Sequence, residues 1–105
     1  MIRHLVLFSA RDRADLPAMA ATLRTLADIP GVRAFELGVN GHHDALSDEV
    51  DLVVHALFDD VTALAAYKAH PVYQRSIEVV RPLRELRIAV DYEVDGSLDT
   101  ASPDA

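Results

Sequence analysis

A chain of 105 residues with a formal net charge of −7 is one acidic domain, long enough to bury a single hydrophobic core. It has no cysteine, which excludes disulfides, thiolate metal sites and cysteine nucleophiles. Ten scattered basic residues against seventeen acidic ones argue against a nucleic-acid partner, which rewards clustered positive charge.

Residues 2–9 predict a first strand carrying His4 among Leu5, Val6, Leu7 and Phe8. No apolar run approaches the roughly 18 residues of a membrane span. No basic-then-apolar leader opens the chain, so a cytoplasmic protein without membrane contact is expected. A helix follows from about Asp15, a good N-cap, with Leu16, Met19, Leu23 and Leu26 at helical spacing. Ile29-Pro30-Gly31-Val32 ends it, because proline cannot continue a helix and glycine tolerates the turn. A second strand is predicted over residues 33–39 and a loop over 40–49.

The third strand is expected over residues 51–58. Asp59 or Asp60 caps a second helix carrying Val61, Leu64 and Ala65, which stops near His70. Pro71 suits the first turn of a further short helix bearing Val72, Ile77 and Val80. Pro82 ends that helix, and a fourth strand runs over about 86–94. The domain is therefore placed at residues 1–94, followed by a small, polar, acidic tail at 95–105 expected to be disordered. Arg81, Arg84 and Arg87, the densest basic group, read as capping a helix end or a strand edge.

Side chains alternate across a strand, so each strand reports on two faces. In the third strand Leu52, Val54, Ala56 and Phe58 share one face, and Val53, His55 and Leu57 the other. In the first, Val6 and Phe8 oppose Leu5 and Leu7. Both faces are mainly apolar, whereas a sheet with helices on one side only shows a polar outer face. A second copy of the sheet, packed face to face, accounts for this. A homodimer through Leu5, Leu7, Val53, His55 and Leu57 is the expectation.

Several segments together carry a family resemblance. They are His4-Leu5-Val6-Leu7-Phe8, Ile29-Pro30-Gly31-Val32 before Phe35-Glu36-Leu37-Gly38, Asp51-Leu52-Val53 ending in Leu57-Phe58, Ala66-Tyr67-Lys68-Ala69-His70-Pro71, and Val90-Asp91-Tyr92. In this order and spacing they resemble the stress-responsive α/β-barrel (Dabb) domain family over nearly the whole chain. The resemblance implies an α+β, ferredoxin-like βαββαβ protomer with a four-stranded antiparallel sheet, dimerising into an α/β barrel. A plant member closes a linear polyketide by aldol condensation in a pocket between sheet and helices, and is similar here at His4, Tyr67 and His70-Pro71. At two matching pocket positions it has histidines where this chain has Tyr73 and Leu52. Some relatives hold a magnesium ion on backbone carbonyls that correspond to Leu26, Ile29 and Val32.

The candidate site residues are accordingly His4, Tyr67, His70 and Tyr73, with Val6, Phe8, Leu52, Val54 and Phe58 expected to line a pocket. His4 suits proton transfer at neutral pH, or else a structural hydrogen bond to the backbone. Tyr67 is placed to donate to a carbonyl or enolate oxygen, or to sit at a helix edge with its hydroxyl wet. His70, before a proline, acts as base or simply holds the turn. Tyr73 donates a hydrogen bond but is a poor base.

His42-His43-Asp44 does not make a metal site by itself, since adjacent loop residues rarely converge. The dispersed glycines exclude a phosphate loop, and no Gly-x-Ser-x-Gly elbow occurs. No cofactor or metal is expected. Two functions follow from the residues and the resemblance: a dimeric domain binding a small apolar or aromatic metabolite, or a cofactor-free cyclase or lyase with Tyr67 as donor and His4 or His70 as base.

Overall fold

A computed structural model describes residues 1–94, and the tail expected to be disordered at 95–105 lies outside the described residues. The elements are β1 (Ile2–Ala10), α1 (Leu16–Arg24), β2 (Ala34–Val39), β3 (Leu52–Phe58), α2 (Val61–Ala69), α3 (Pro71–Val80) and β4 (Arg84–Glu93). The strands form one antiparallel sheet in the order β2-β3-β1-β4. This is the α+β, βαββαβ ferredoxin-like arrangement.

The helix starts follow side-chain capping, with one correction. Asp15 stands at the N-cap of α1, but the side-chain capping bond comes from Asp12, whose Oδ1 accepts from the Ala14 amide at 2.9 Å and opens a 3-10 turn, Arg13–Asp15, ahead of α1. Asp15 already has helical backbone angles, and its side chain makes no capping bond. A second 3-10 turn, Thr25–Asp28, carries Leu26 into the core, and Gly31 closes the turn to β2 in the left-handed region at φ 92°. At α2 the cap is Asp60, which accepts from the Ala63 amide at 2.8 Å, while Asp59 faces Arg33 at 3.6 Å.

One face of the sheet is the core. Ile2, Val6 and Phe8 of β1 and Leu52, Val54, Ala56 and Phe58 of β3 pack against Met19, Leu23, Leu26, Ile29, Leu64, Tyr67 and Val80. The other face carries Leu5, Leu7, Val53 and Leu57, all only partly buried. Leu5 lies opposite His55 and Val90, and Leu7 opposite Val53 and Ile88, so β4 widens the apolar face. Its Ile88, Val90 and Tyr92 are 52%, 47% and 41% exposed. His55 is tied into the same face by Arg3 at 3.2 Å and Glu36 at 3.1 Å.

Two irregularities shape the upper end of the sheet. Phe8 pairs with Arg87 but Ala10 pairs with Arg84, so β4 carries one extra residue in a bulge opposite Ser9. The Ser9 hydroxyl accepts from the Leu86 amide there at 3.0 Å. Asp51, only 6% exposed, precedes β3 instead of belonging to it. Its amide donates to the Phe8 carbonyl at 2.8 Å, and its Oδ2 accepts from the Ala10 amide at 2.9 Å. Arg13 lies 3.4 Å from its Oδ1. Asp51→Ala strands the Ala10 amide and is expected to lower unfolding stability by about 1–3 kcal/mol, measured by denaturant titration.

Candidate functional site

The sheet's helix side opens into a cavity of about 240 Å³. Its floor is His4, Val6 and Phe8 of β1 with Val54 of β3. Leu23 and Leu26 form one wall, Tyr67 of α2 an end, and Tyr73, Ser76, Ile77 and Val80 of α3 the roof. Arg81, Arg84 and Arg87 complete the lining.

His4 is 1% exposed and lies directly across the sheet from Asp91 of β4. Directly paired residues put their side chains on one face within reach of each other. Nδ1 of His4 sits 2.5 Å from Oδ1 of Asp91. An ionised carboxylate only accepts, so Nδ1 carries the proton and Nε2 is the basic nitrogen. Lys68, one residue beyond Tyr67, lies 3.7 Å from the other Asp91 oxygen. Burial lowers the His4 pKa below its ordinary 6.5, outweighing the hydrogen bond and charge of Asp91, which raise it. Lys68 and Arg87 add smaller lowering effects. His4 is thus neutral at neutral pH, with Nε2 free to accept a proton or hydrogen bond.

Tyr67 is fully buried, its ring 5.9 Å from that of His4, 4.8 Å from Phe58 and 5.1 Å from Tyr73. Its hydroxyl is buried and has no hydrogen-bond partner among the described residues. Burial and the neighbouring Tyr73 push its pKa well above the usual tyrosine value, so it stays protonated and offers a donor. Tyr73 is half-buried, and its hydroxyl accepts from Arg87 at 3.3 Å. A neutral base and a protonated donor thus flank one cavity, the pairing needed to move a proton next to a carbonyl.

Other candidates lie elsewhere. His70 is the N-cap of α3, extended as the residue before a proline should be, and its Nδ1 accepts from the Val72 amide at 3.1 Å. It does not line the cavity. Leu52 and Phe58, expected as pocket residues, are core side chains at the two ends of β3. A strand rises about 3.4 Å per residue, so only Val54 in its middle reaches the cavity. In the loop His42 faces Arg13 at 3.2 Å and Asp48 at 3.6 Å. No group of three metal-ligating side chains forms among the described residues. The carbonyls of Leu26 and Ile29 accept from the amides of Ile29 and Val32, closing the turn.

The Stress responsive A/B Barrel Domain profile matches residues 2–94. The chain belongs to the stress-responsive α/β-barrel (Dabb) domain family. No curated protein sequence matches it. Among solved structures it is similar to a dimeric ferredoxin-like protein of unknown function from Jannaschia sp. CCS1, at 29% identity and a TM-score of 0.73, covering 89% of this chain and 98% of that one. A dimeric ferredoxin-like protein of unknown function from Thermobifida fusca yx shows 25% identity and a TM-score of 0.77, over 89% and 90%. The hydroxynitrile lyase of Passiflora edulis, at 14% identity and a TM-score of 0.76 over 92% and 95%, shares the fold alone.

Several residues at this Dabb cavity were not legible as site residues. Asp91 stood out only within Val90-Asp91-Tyr92, with no sign that it would meet His4. Arg81 does end α3, its amide donating to the Ile77 carbonyl, as a helix-end reading requires. The shared cavity lining of all three arginines was the part not foreseen. Arg84 and Arg87 are three apart, an odd number that a regular strand sends to opposite faces. The bulge returns both to the helix side.

Because folding lowers the His4 pKa, the unfolded chain binds a proton that the folded protein refuses as pH falls below 6.5. Stability contributed by neutral His4 is complete above that pH and declines below it, by at most about 1.4 kcal/mol per unit. Denaturant titrations across this range should show a steeper acid loss for the parent than for His4→Gln.

Proposed function

We propose that the protein is a homodimeric Dabb domain that takes one small apolar or aromatic metabolite into the cavity beside His4 and Tyr67. The unpartnered, buried Tyr67 hydroxyl carries this reading. Leaving such a group unpaired costs about 1–3 kcal/mol, which a ligand oxygen or nitrogen would relieve. The volume suits one substituted ring, since an apolar cavity of about 150 Å³ holds benzene.

Dimerisation is supported by the apolar second face and by the Jannaschia and Thermobifida proteins, which are described as dimeric. The proposed interface is Leu5, Leu7, Val53, His55 and Leu57, extended by Ile88, Val90 and Tyr92 of β4. Burying roughly 300 Å² of this face per subunit, at about 25 cal/mol per Å², favours pairing by several kcal/mol before association costs. Among the described residues no helix is long and apolar enough to cross a membrane. A cytoplasmic location belongs to the same proposal, in keeping with an acidic small-molecule domain.

The His4–Asp91 pair favours a second reading, a cofactor-independent cyclase or lyase acting on an enolisable carbonyl compound. In it, Nε2 of His4 removes the proton next to the carbonyl, Asp91 stabilises the resulting imidazolium, and Tyr67 donates to the developing enolate oxygen. His70 has no part, because its ring holds the turn.

Acetophenone separates the two readings in one NMR experiment. Tyr67→Phe should weaken its binding about five-fold or more while the dimer persists, and an unchanged affinity removes Tyr67 as a contact. Deuterium exchange into its methyl group, lost in His4→Gln, would establish the enzymatic reading, whereas binding without exchange leaves the first. For the interface, Val90→Asp should give folded monomers by light scattering. A stable dimer in that variant would place the contact elsewhere.

A further inference from the structure

Building on the reading of the cavity as a small-molecule site, we propose that its ligand is an organic anion. The body is an aromatic or branched apolar group, and the head is an oxyanion, carboxylate or phosphate, held by Arg81, Arg84 and Arg87. The first ground is where these side chains lie. A chain with a net charge of −7 places three of its ten basic residues around one cavity.

The second ground is their lack of counter-charge. Arg11, Arg13, Arg33 and Lys68 each face a carboxylate, at 3.6, 3.4, 3.6 and 3.7 Å. Among the described residues Arg81, Arg84 and Arg87 face none, as is also true of Arg3, Arg24 and Arg75, but only the first three line the cavity, and Arg87 reaches only the Tyr73 hydroxyl, at 3.3 Å. The third ground is the bulge in β4. Without it Arg84 and Arg87 would point to opposite faces; with it they converge on the cavity.

Crowded cations at a partly buried mouth repel one another. Burial and the charges of Arg87, Arg81 and Arg11 hold the Arg84 pKa below its ordinary value. A bound anion relieves that repulsion, and guanidinium forks match the oxygens of carboxylate and phosphate two at a time. The buried, unpartnered Tyr67 hydroxyl of the same lining is left for a polar atom of the ligand. The cavity of about 240 Å³ limits that body to about one ring with a short chain. The acidic surface elsewhere repels anions, so the arginine mouth is also the place where an anion is drawn in.

Calorimetric titration of the full chain with cinnamate, phenyl phosphate and neutral cinnamamide tests this. At least one anion should bind about ten-fold or more tightly than cinnamamide, and the tighter of the two identifies the head. Added salt should weaken the anions alone. The preference should vanish in Arg84→Gln/Arg87→Gln, checked for folding by circular dichroism; if that variant misfolds, the salt dependence and the isostere comparison in the parent still decide. Cinnamamide binding as tightly as both anions, or a preference that survives in the folded double variant, overturns the anionic head and leaves the cavity reading intact. Failure of all three to bind at millimolar concentration overturns both.

Discussion

β1 runs through the middle of the sheet, hydrogen-bonded to β3 on one side and to β4 on the other, and its register against β4 decides which side chains meet. With His4 opposite Asp91, a histidine from one end of the chain receives its orienting carboxylate from the other. A slip of one residue would send every side chain of β4 to the opposite face and leave His4 without its partner. Asp51 and Ser9 secure the far end of β1, where the bulge breaks the regular ladder and turns Arg84 to the cavity. The two ends of the same strand pairing thus build the basic nitrogen and the cationic mouth.

Burial acts on the two protic side chains in opposite senses with one chemical result. Desolvation penalises whichever form is charged, so it lowers the His4 pKa and raises that of Tyr67. Both rings are held neutral, one as an acceptor and the other as a donor. Asp91 works against this trend at His4, and its partial success keeps the imidazole oriented without charging it. The same apolar surroundings therefore keep both protic groups uncharged.

The two faces of the sheet divide the molecule's tasks. Helices cover one and enclose the cavity, while the other remains apolar with His55 held between Arg3 and Glu36. That polar trio gives the face a feature with a definite position among apolar neighbours. Dimeric relatives of the same fold fit a chain whose uncovered face is apolar.

Period-two alternation in the strands, prolines at helix ends and short polar caps are local signals, so the amino-acid sequence by itself determined the βαββαβ order, the apolar second face, and the placement of His4 toward the helices. Where two carboxylates competed for a cap, as at Asp59 and Asp60, local signals could not choose, because backbone angles decide which oxygen reaches the amide. Only the tertiary structure decided that Asp91 meets His4, that Leu52 and Phe58 fall beyond the cavity, and that Arg84 and Arg87 face the same way. Each of these depends on strand register or on a bulge, which are set by pairing between segments up to 87 residues apart. No window along the chain contains that information, because it arises only when distant strands are hydrogen-bonded side by side.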